Sequence, residues 1–246
     1  MEIKRGFILL VLLFFLPLAS AEVIINQQPD DIYNLGDIST IQVTFKPIQS
    51  VSGNFQMDLL CGANAVNFYK NGMSIPAGSE RVIESSLILQ KDIIEENKGT
   101  CKIKAYFGSD SALTNEFVIS DLINVNSTLS KTEFVPGEII LIKGDAIREN
   151  GESANGYVDL VLLDGNASVT TGKGTVNNGV FSTNMTLPED LKSGNYMLKI
   201  SAYEEDFSGR TTNNGFLNKG IFVKQVPTSL EIVFEQQSTE IEIQPG

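Results

Sequence analysis

The sequence predicts an all-β protein built as two tandem antiparallel β-sandwiches followed by the first strand of a third. Three observations carry this reading. A short motif recurs as Asn34-Leu35-Gly36-Asp37-Ile38, then Val135-Pro136-Gly137-Glu138-Ile139, then Gln244-Pro245-Gly246, at a spacing of roughly a hundred residues, the length of one small sandwich. Apolar and polar residues alternate in short runs, the period of half-buried strands. Turn dipeptides separate these runs: Asn71-Gly72, Asn150-Gly151, Asp164-Gly165, Asn178-Gly179, Ser193-Gly194 and Asn214-Gly215. Asn-Gly and Asp-Gly supply the positive φ that closes tight hairpins.

Residues 1–21 read as an export signal. Lys4 and Arg5 form the positive start, Gly6 to Leu18 is an unbroken apolar run, and Ala19-Ser20-Ala21 gives the small-residue cleavage pattern. As a helix the run rises only about 20 Å against roughly 30 Å of hydrocarbon, which favours a cleaved signal over an anchor. The mature chain then starts at Glu22. The first module covers 22–120 and the second 121–226, and 227–246 begins a third.

The repeat holds strand by strand. Gly53 to Gly62 aligns with Gly156 to Gly165, so that Phe55, Met57 and Leu59 fall on Val158, Leu160 and Leu162. Leu89-Gln90-Lys91-Asp92-Ile93 aligns with Leu187-Pro188-Glu189-Asp190-Leu191, and Gly99-Thr100-Cys101 with Gly194-Asn195-Tyr196. After these, Ile103, Ala105 and Phe107 share one face, as do Leu198, Ile200 and Ala202. The junctions fall near Ser120 to Asn126 and Lys224 to Thr228, and limited proteolysis is expected to cut first near Asp121–Asn126 and after Lys224.

Residues 131–224 resemble the immunoglobulin-like and macroglobulin-type repeats of prokaryotic surface and secreted proteins. The resemblance rests on Phe134-Val135-Pro136-Gly137-Glu138-Ile139, Gly156-Tyr157-Val158-Asp159-Leu160 and Leu187-Pro188-Glu189-Asp190-Leu191-Lys192-Ser193-Gly194-Asn195-Tyr196. The first module departs from the pattern at Leu35, Cys101 and Leu89-Gln90-Lys91. The resemblance implies two immunoglobulin-like sandwiches in a modular surface protein and says little about ligand. Leu191-x-x-Gly194-x-Tyr196 resembles the tyrosine corner of such folds, in which the hydroxyl bonds to backbone just upstream. The protease-trapping macroglobulins carry a Cys-x-x-Gln thioester motif that this chain lacks.

Cys61 and Cys101 are the only cysteines, and in an exported chain a disulfide is their expected state. In an immunoglobulin-like order Cys61 ends the third strand and Cys101 begins the sixth, its antiparallel neighbour. Closing a loop of about forty residues contributes roughly 4 kcal/mol in chain-entropy terms. Tyr196 occupies the matching place in the second module.

Catalytic chemistry finds little support. The chain has no His and no Trp, which removes the commonest general base and excludes Ser-His-Asp and Cys-His arrangements. No cofactor is expected. The acidic loop Glu204-Glu205-Asp206, helped by Asp145 or Asp164 if the fold brings them close, offers calcium-type oxygen donors; a solvated loop is the reading preferred over it. Asn213-Asn214-Gly215 reads as a turn. Asn126, Asn166 and Asn184 each begin an Asn-x-Ser/Thr acceptor sequence for N-linked glycans.

The net charge is −12, and −13 without residues 1–21, which carry Glu2, Lys4 and Arg5. Such a surface repels phosphate backbones, so nucleic acid is not an expected partner. A protein or glycan at the cell surface is. Membrane contact is expected only through the export signal or an anchor beyond Gly246. The sequence therefore points to a secreted or surface-held, non-catalytic spacer, adhesion arm or cell-envelope component. The alternative is an accessory binding module of an exported enzyme whose catalytic domain lies past residue 246.

Overall fold

The structure, a computed structural model, describes residues 21–94 and 97–225. Apart from Ala21, the export-signal reading lies outside the described residues, as does the third-module reading of 227–246. Module one contains β1 (Ala21–Gln27), β2 (Ile32–Asn34), β3 (Ile38–Pro47), β4 (Val51–Cys61), β5 (Asn64–Ile75) and β6 (Arg81–Ile88). After the single turn α1 (Lys91–Ile94) come β7 (Gly99–Phe107), β8 (Asp110–Leu113) and β9 (Phe117–Ser120). Module two contains β10 (Ile123–Leu129), β11 (Glu133–Phe134), β12 (Ile139–Arg148), β13 (Gly156–Asp164), β14 (Ala167–Val176), β15 (Val180–Thr186), β16 (Gly194–Glu205) and β17 (Thr211–Val223).

The two modules share one topology. In module one, sheet β1-β3-β6 faces sheet β2-β9-β7-β4-β5, with β8 also on β7. In module two, β10-β12-β15 faces β11-β17-β16-β13-β14. Each opening strand is split: β1 and β10 pair antiparallel in one sheet, while β2 and β11 cross over to pair parallel in the other. Where module one breaks its last strand into β8 and β9, module two runs β17 unbroken beside β16.

Strand alternation builds each core. Ile41, Val43 and Phe45 of β3 meet Phe55, Met57 and Leu59 of β4 and Ile103, Ala105 and Phe107 of β7, all buried. Phe45 stacks edge-on to Phe55 at 4.7 Å and to Phe107 at 5.8 Å, geometry that adds about 1 kcal/mol per pair beyond area burial. Module two packs Ile140, Ile142, Val158, Leu160, Leu162, Leu198 and Ile200 into its own core. The first core ends at Ile119 and the second begins at Ile123, with no residue in common. Among the described residues no sheet runs through both modules.

Cys61 lies directly opposite Cys101 across the β4–β7 ladder, and the two are disulfide-bonded with both side chains buried. At the equivalent place in module two, the Tyr196 hydroxyl donates to Lys192 O at 2.9 Å. Burial, and then the nearby Asp164 charge, push the Tyr196 phenol above its ordinary range.

Two expected turns are strand. Asn71-Gly72 lies inside β5, with Gly72 opposite Asn54, and Asn214-Gly215 lies inside β17, with Gly215 opposite Ala202. Neither glycine takes positive φ. Gly215 is required by close approach instead, since a Cβ there would sit 1.7 Å from Ile123 O. The turn ending β16 lies earlier: Asp206 accepts from Ser208 N and Arg210 N, and Gly209 takes φ 74°. By contrast, Asn178 (φ 49°) and Gly179 (φ 74°) close the β14–β15 hairpin.

Candidate functional site

Three inward rows of module two end in polar residues at the same edge of the sandwich. On β12 the buried positions Ile140, Ile142 and Ala146 lead in phase to Arg148. On β16, Tyr196, Leu198, Ile200 and Ala202 lead to Glu204, and on β17, Val223 and Ile221 lead back to Asn213. Strand periodicity therefore places a guanidinium, a carboxylate and an amide over the apolar core. Buried polar groups at such positions need partners. Module one supplies them.

The Glu204 side chain is only 5% exposed and accepts four hydrogen bonds. Arg148 Nε donates to Oε2 at 2.9 Å and Nη2 to Oε1 at 3.0 Å, the two-pronged fit of guanidinium to carboxylate. Asn155 N donates to Oε1 and Asn213 Nδ2 to Oε2, each at 2.8 Å. Arg148 Nη1 then crosses to module one, reaching Asp37 Oδ1 at 3.2 Å. Burial alone would lower the Arg148 pKa, but the bonds to Glu204 and the charges of Glu204, Asp37 and Glu152 hold it above its ordinary range. Burial pushes the Asp37 carboxyl up, against the opposing pull of Asn34 N and Arg148.

Around this ion group the amides interlock. Asn34, fully buried, donates from Nδ2 to Leu122 O at 3.0 Å and to Asn213 Oδ1 at 3.2 Å, and accepts at Oδ1 from Asn150 N at 3.0 Å. Asn213 Nδ2 also donates to Leu35 O at 2.8 Å. Asn150 Nδ2 donates to Asp37 Oδ2 at 2.9 Å. The turn of the first recurring motif, Asn34 to Asp37, is thus the foot that module one sets on module two.

The rim is charged. Arg210 holds Asp92 of module one through Nη1 and Nη2, both at 2.7 Å, and its Nε donates to Asp206 at 2.9 Å. The bond from Arg210 lowers the Asp92 pKa, and the Arg210 backbone N–H, then its side chain, lower that of Asp206. Lys98 pairs with Asp121, Ser120 with Glu149, and Lys91 Nζ donates to Thr211 O. The junction residues are held too: Asp121 O accepts from Asn214 N, and Leu122 O from Glu149 N.

The acidic loop does not converge on an ion. Successive strand residues point to opposite faces, so Glu204 turns inward to Arg148 while Glu205 stays exposed. Asp206 is bonded within its own turn and to Arg210. Asp145 lies on the outer face of β12 with Asn126, and Asp164 lies at the opposite end of β13. Among the described residues no group of three or more His, Cys, Asp or Glu could hold a metal ion, and no helix is long and apolar enough to cross a membrane. Asn126, Asn166 and Asn184 are all exposed.

The joint residues escape a reading of the sequence, which takes Asn213 and Asn150 for turn residues and Glu204 for a loop acid. The available signal is phase: Arg148 and Glu204 continue the inward alternation of their strands.

No family model matches the chain, and no curated protein matches it. Among solved structures, a β-glucosidase from Listeria innocua in complex with glucose is similar at 17% identity and TM-score 0.32. The match covers 42% of this chain and 16% of that one. A β-glucosidase from Erythrobacter marinus is similar at 11% identity and TM-score 0.34, again over 42% of this chain and 16% of the other. A likeness at these scores carries no argument about activity.

Proposed function

We propose that this chain is a non-catalytic extracellular spacer, a stiff arm of stacked sandwiches that holds a contact surface away from the cell and meets a protein or glycan partner there. The observation that supports it most is the polar joint, in which Arg148 and Asn213, both held by Glu204, and Asn150 of one sandwich lock onto Asn34, Leu35 and Asp37 of the other. A flexible tether between independent domains has no use for buried, fully bonded amides at its hinge. The local turn of this foot recurs at the far end of module two, with Val135 in the place of Asn34. Val135 N donates to Glu138 as Asn34 N does to Asp37, and Gly137 N donates to Pro188 O as Gly36 N does to Leu89 O. The absence of any His from the sequence and the disulfide accord with an exported, non-catalytic role.

Labelling intact cells with a membrane-impermeant amine reagent tests the proposal. Exposed lysines of both modules, such as Lys70 and Lys173, should react while the cells remain whole. Protection of both until lysis would overturn it.

A further inference from the structure

The outer face of sheet β10-β12-β15 combines two features that the spacer role leaves unexplained. It exposes large aliphatic side chains, with Ile139 52%, Leu141 51% and Val180 61% accessible. It also carries two of the three Asn-x-Ser/Thr sequences, at Asn126 on β10 and Asn184 on β15. Both asparagines lie on the outward phase, flanked by residues that point into the sandwich: Val125 before Asn126 and Met185 after Asn184.

Register sets the aliphatic groups among the acceptors. Asn184 lies directly opposite Leu141, and Asn126 shares a cross-strand row with Asp145 and Val180. The hydroxyl residues Thr128 and Thr186 are exposed as well, so the asparagine and the hydroxyl of each acceptor sequence are accessible on the folded sheet. Asn126 Nδ2 gives one hydrogen to Asp145 Oδ2 at 3.1 Å, leaving the other for substitution. Module one has no such sequence.

We propose that Asn126 and Asn184 carry N-linked glycans, and that these cover the aliphatic outer face of module two. In the transfer, Asn Nδ2 forms a bond to the anomeric carbon of an oligosaccharide supplied on a lipid phosphate. The bond from that carbon to the phosphate oxygen breaks, the lipid phosphate leaves with the electron pair, and the displaced Nδ2 proton passes to a base of the membrane transferase. A bulky hydrophilic chain on either side of Leu141 and Val180 keeps this face from associating with other surfaces. The proposal rests on export, not on the spacer role.

Intact-mass and peptide-mapping measurements on protein recovered from the outside of its native host test it. The expected result is a mass above that of the polypeptide, with sugar mapped to Asn126 and Asn184. Thr128→Ala and Thr186→Ala, which keep both asparagines and their hydrogen bonds, should each remove one glycan. The double variant should form soluble oligomers, detected by light scattering, that the glycosylated protein does not. An exported chain unmodified at both sites, or sugar at Asn166 alone, overturns the proposal. A fully modified protein whose double variant stays monomeric overturns the covering role. Recovery only from the cytosol with Met1 in place overturns export and the proposal together.

Discussion

Where β4 meets β7, module one has a covalent bond between Cys61 and Cys101; where β13 meets β16, module two has Asp164 beside Tyr196, whose hydroxyl closes on Lys192. The strand order around both places is the same. One frame thus tolerates two ways of fixing a crossing, a cross-link that constrains the unfolded chain and a hydrogen bond that rewards the folded one. A second contrast lies at the last strand. Module one divides it into β8 and β9, whereas β17 continues through Asn213 and Gly215 to reach module one. The unbroken strand is what lets module two bring Asn213 to the joint.

The comparison can be broken most directly at the cross-link. Replacing Cys61 and Cys101 with Ala should cost module one about 4 kcal/mol and leave module two unchanged, seen in calorimetry as one transition moving and one staying. Equal loss in both would mean that the cores are not independent.

Glu204→Gln comes next. It leaves the Arg148 charge without its main partner, a change that costs roughly 3–5 kcal/mol for a fully buried pair. Arg148 keeps 20% side-chain exposure, so about 2 kcal/mol is expected after solvent screening. The loss should fall on module two and on its coupling to module one, pulling their unfolding transitions apart. Tyr196→Phe is smaller, about 1 kcal/mol, confined to module two and read in its denaturant midpoint.

The pH response sharpens the comparison further. Asp37 has a raised folded-state pKa, so its contribution to stability is fullest below the unfolded value and is lost as pH rises through the folded one. Asp92 and Asp206, lowered by Arg210, behave oppositely: their contribution is present above the unfolded value and lost as pH falls through the folded one. Carboxyl NMR titration should place the Asp37 midpoint above those of Asp92 and Asp206. The reverse order would contradict the rim and centre assigned to the joint.

Much of this frame is legible in the chain because local alternation decides it. Phe55, Met57 and Leu59 share a phase that turns Cys61 inward, and the strand order that sets it opposite Cys101 is the one the immunoglobulin-like resemblance implies. Turn chemistry is legible only in part. Asn178-Gly179 turns, but Asn214-Gly215 does not, because close backbone packing on Ile123 also selects glycine and leaves the same two letters. The joint is hidden for a different reason. Asn34, Arg148 and Asn213 meet only after both sandwiches have formed, and each is an ordinary surface residue type until a second domain covers it. The acidic triplet misleads because adjacency along a strand separates side chains onto opposite faces.

The central claim is that the joint fixes the two modules in one orientation. Pulsed electron paramagnetic resonance between nitroxide side chains installed at Ser52 and Lys173, exposed strand positions in the two modules, measures this directly. A single narrow distance distribution that broadens in Arg148→Ala is the predicted result; a broad distribution in the unaltered chain would contradict it.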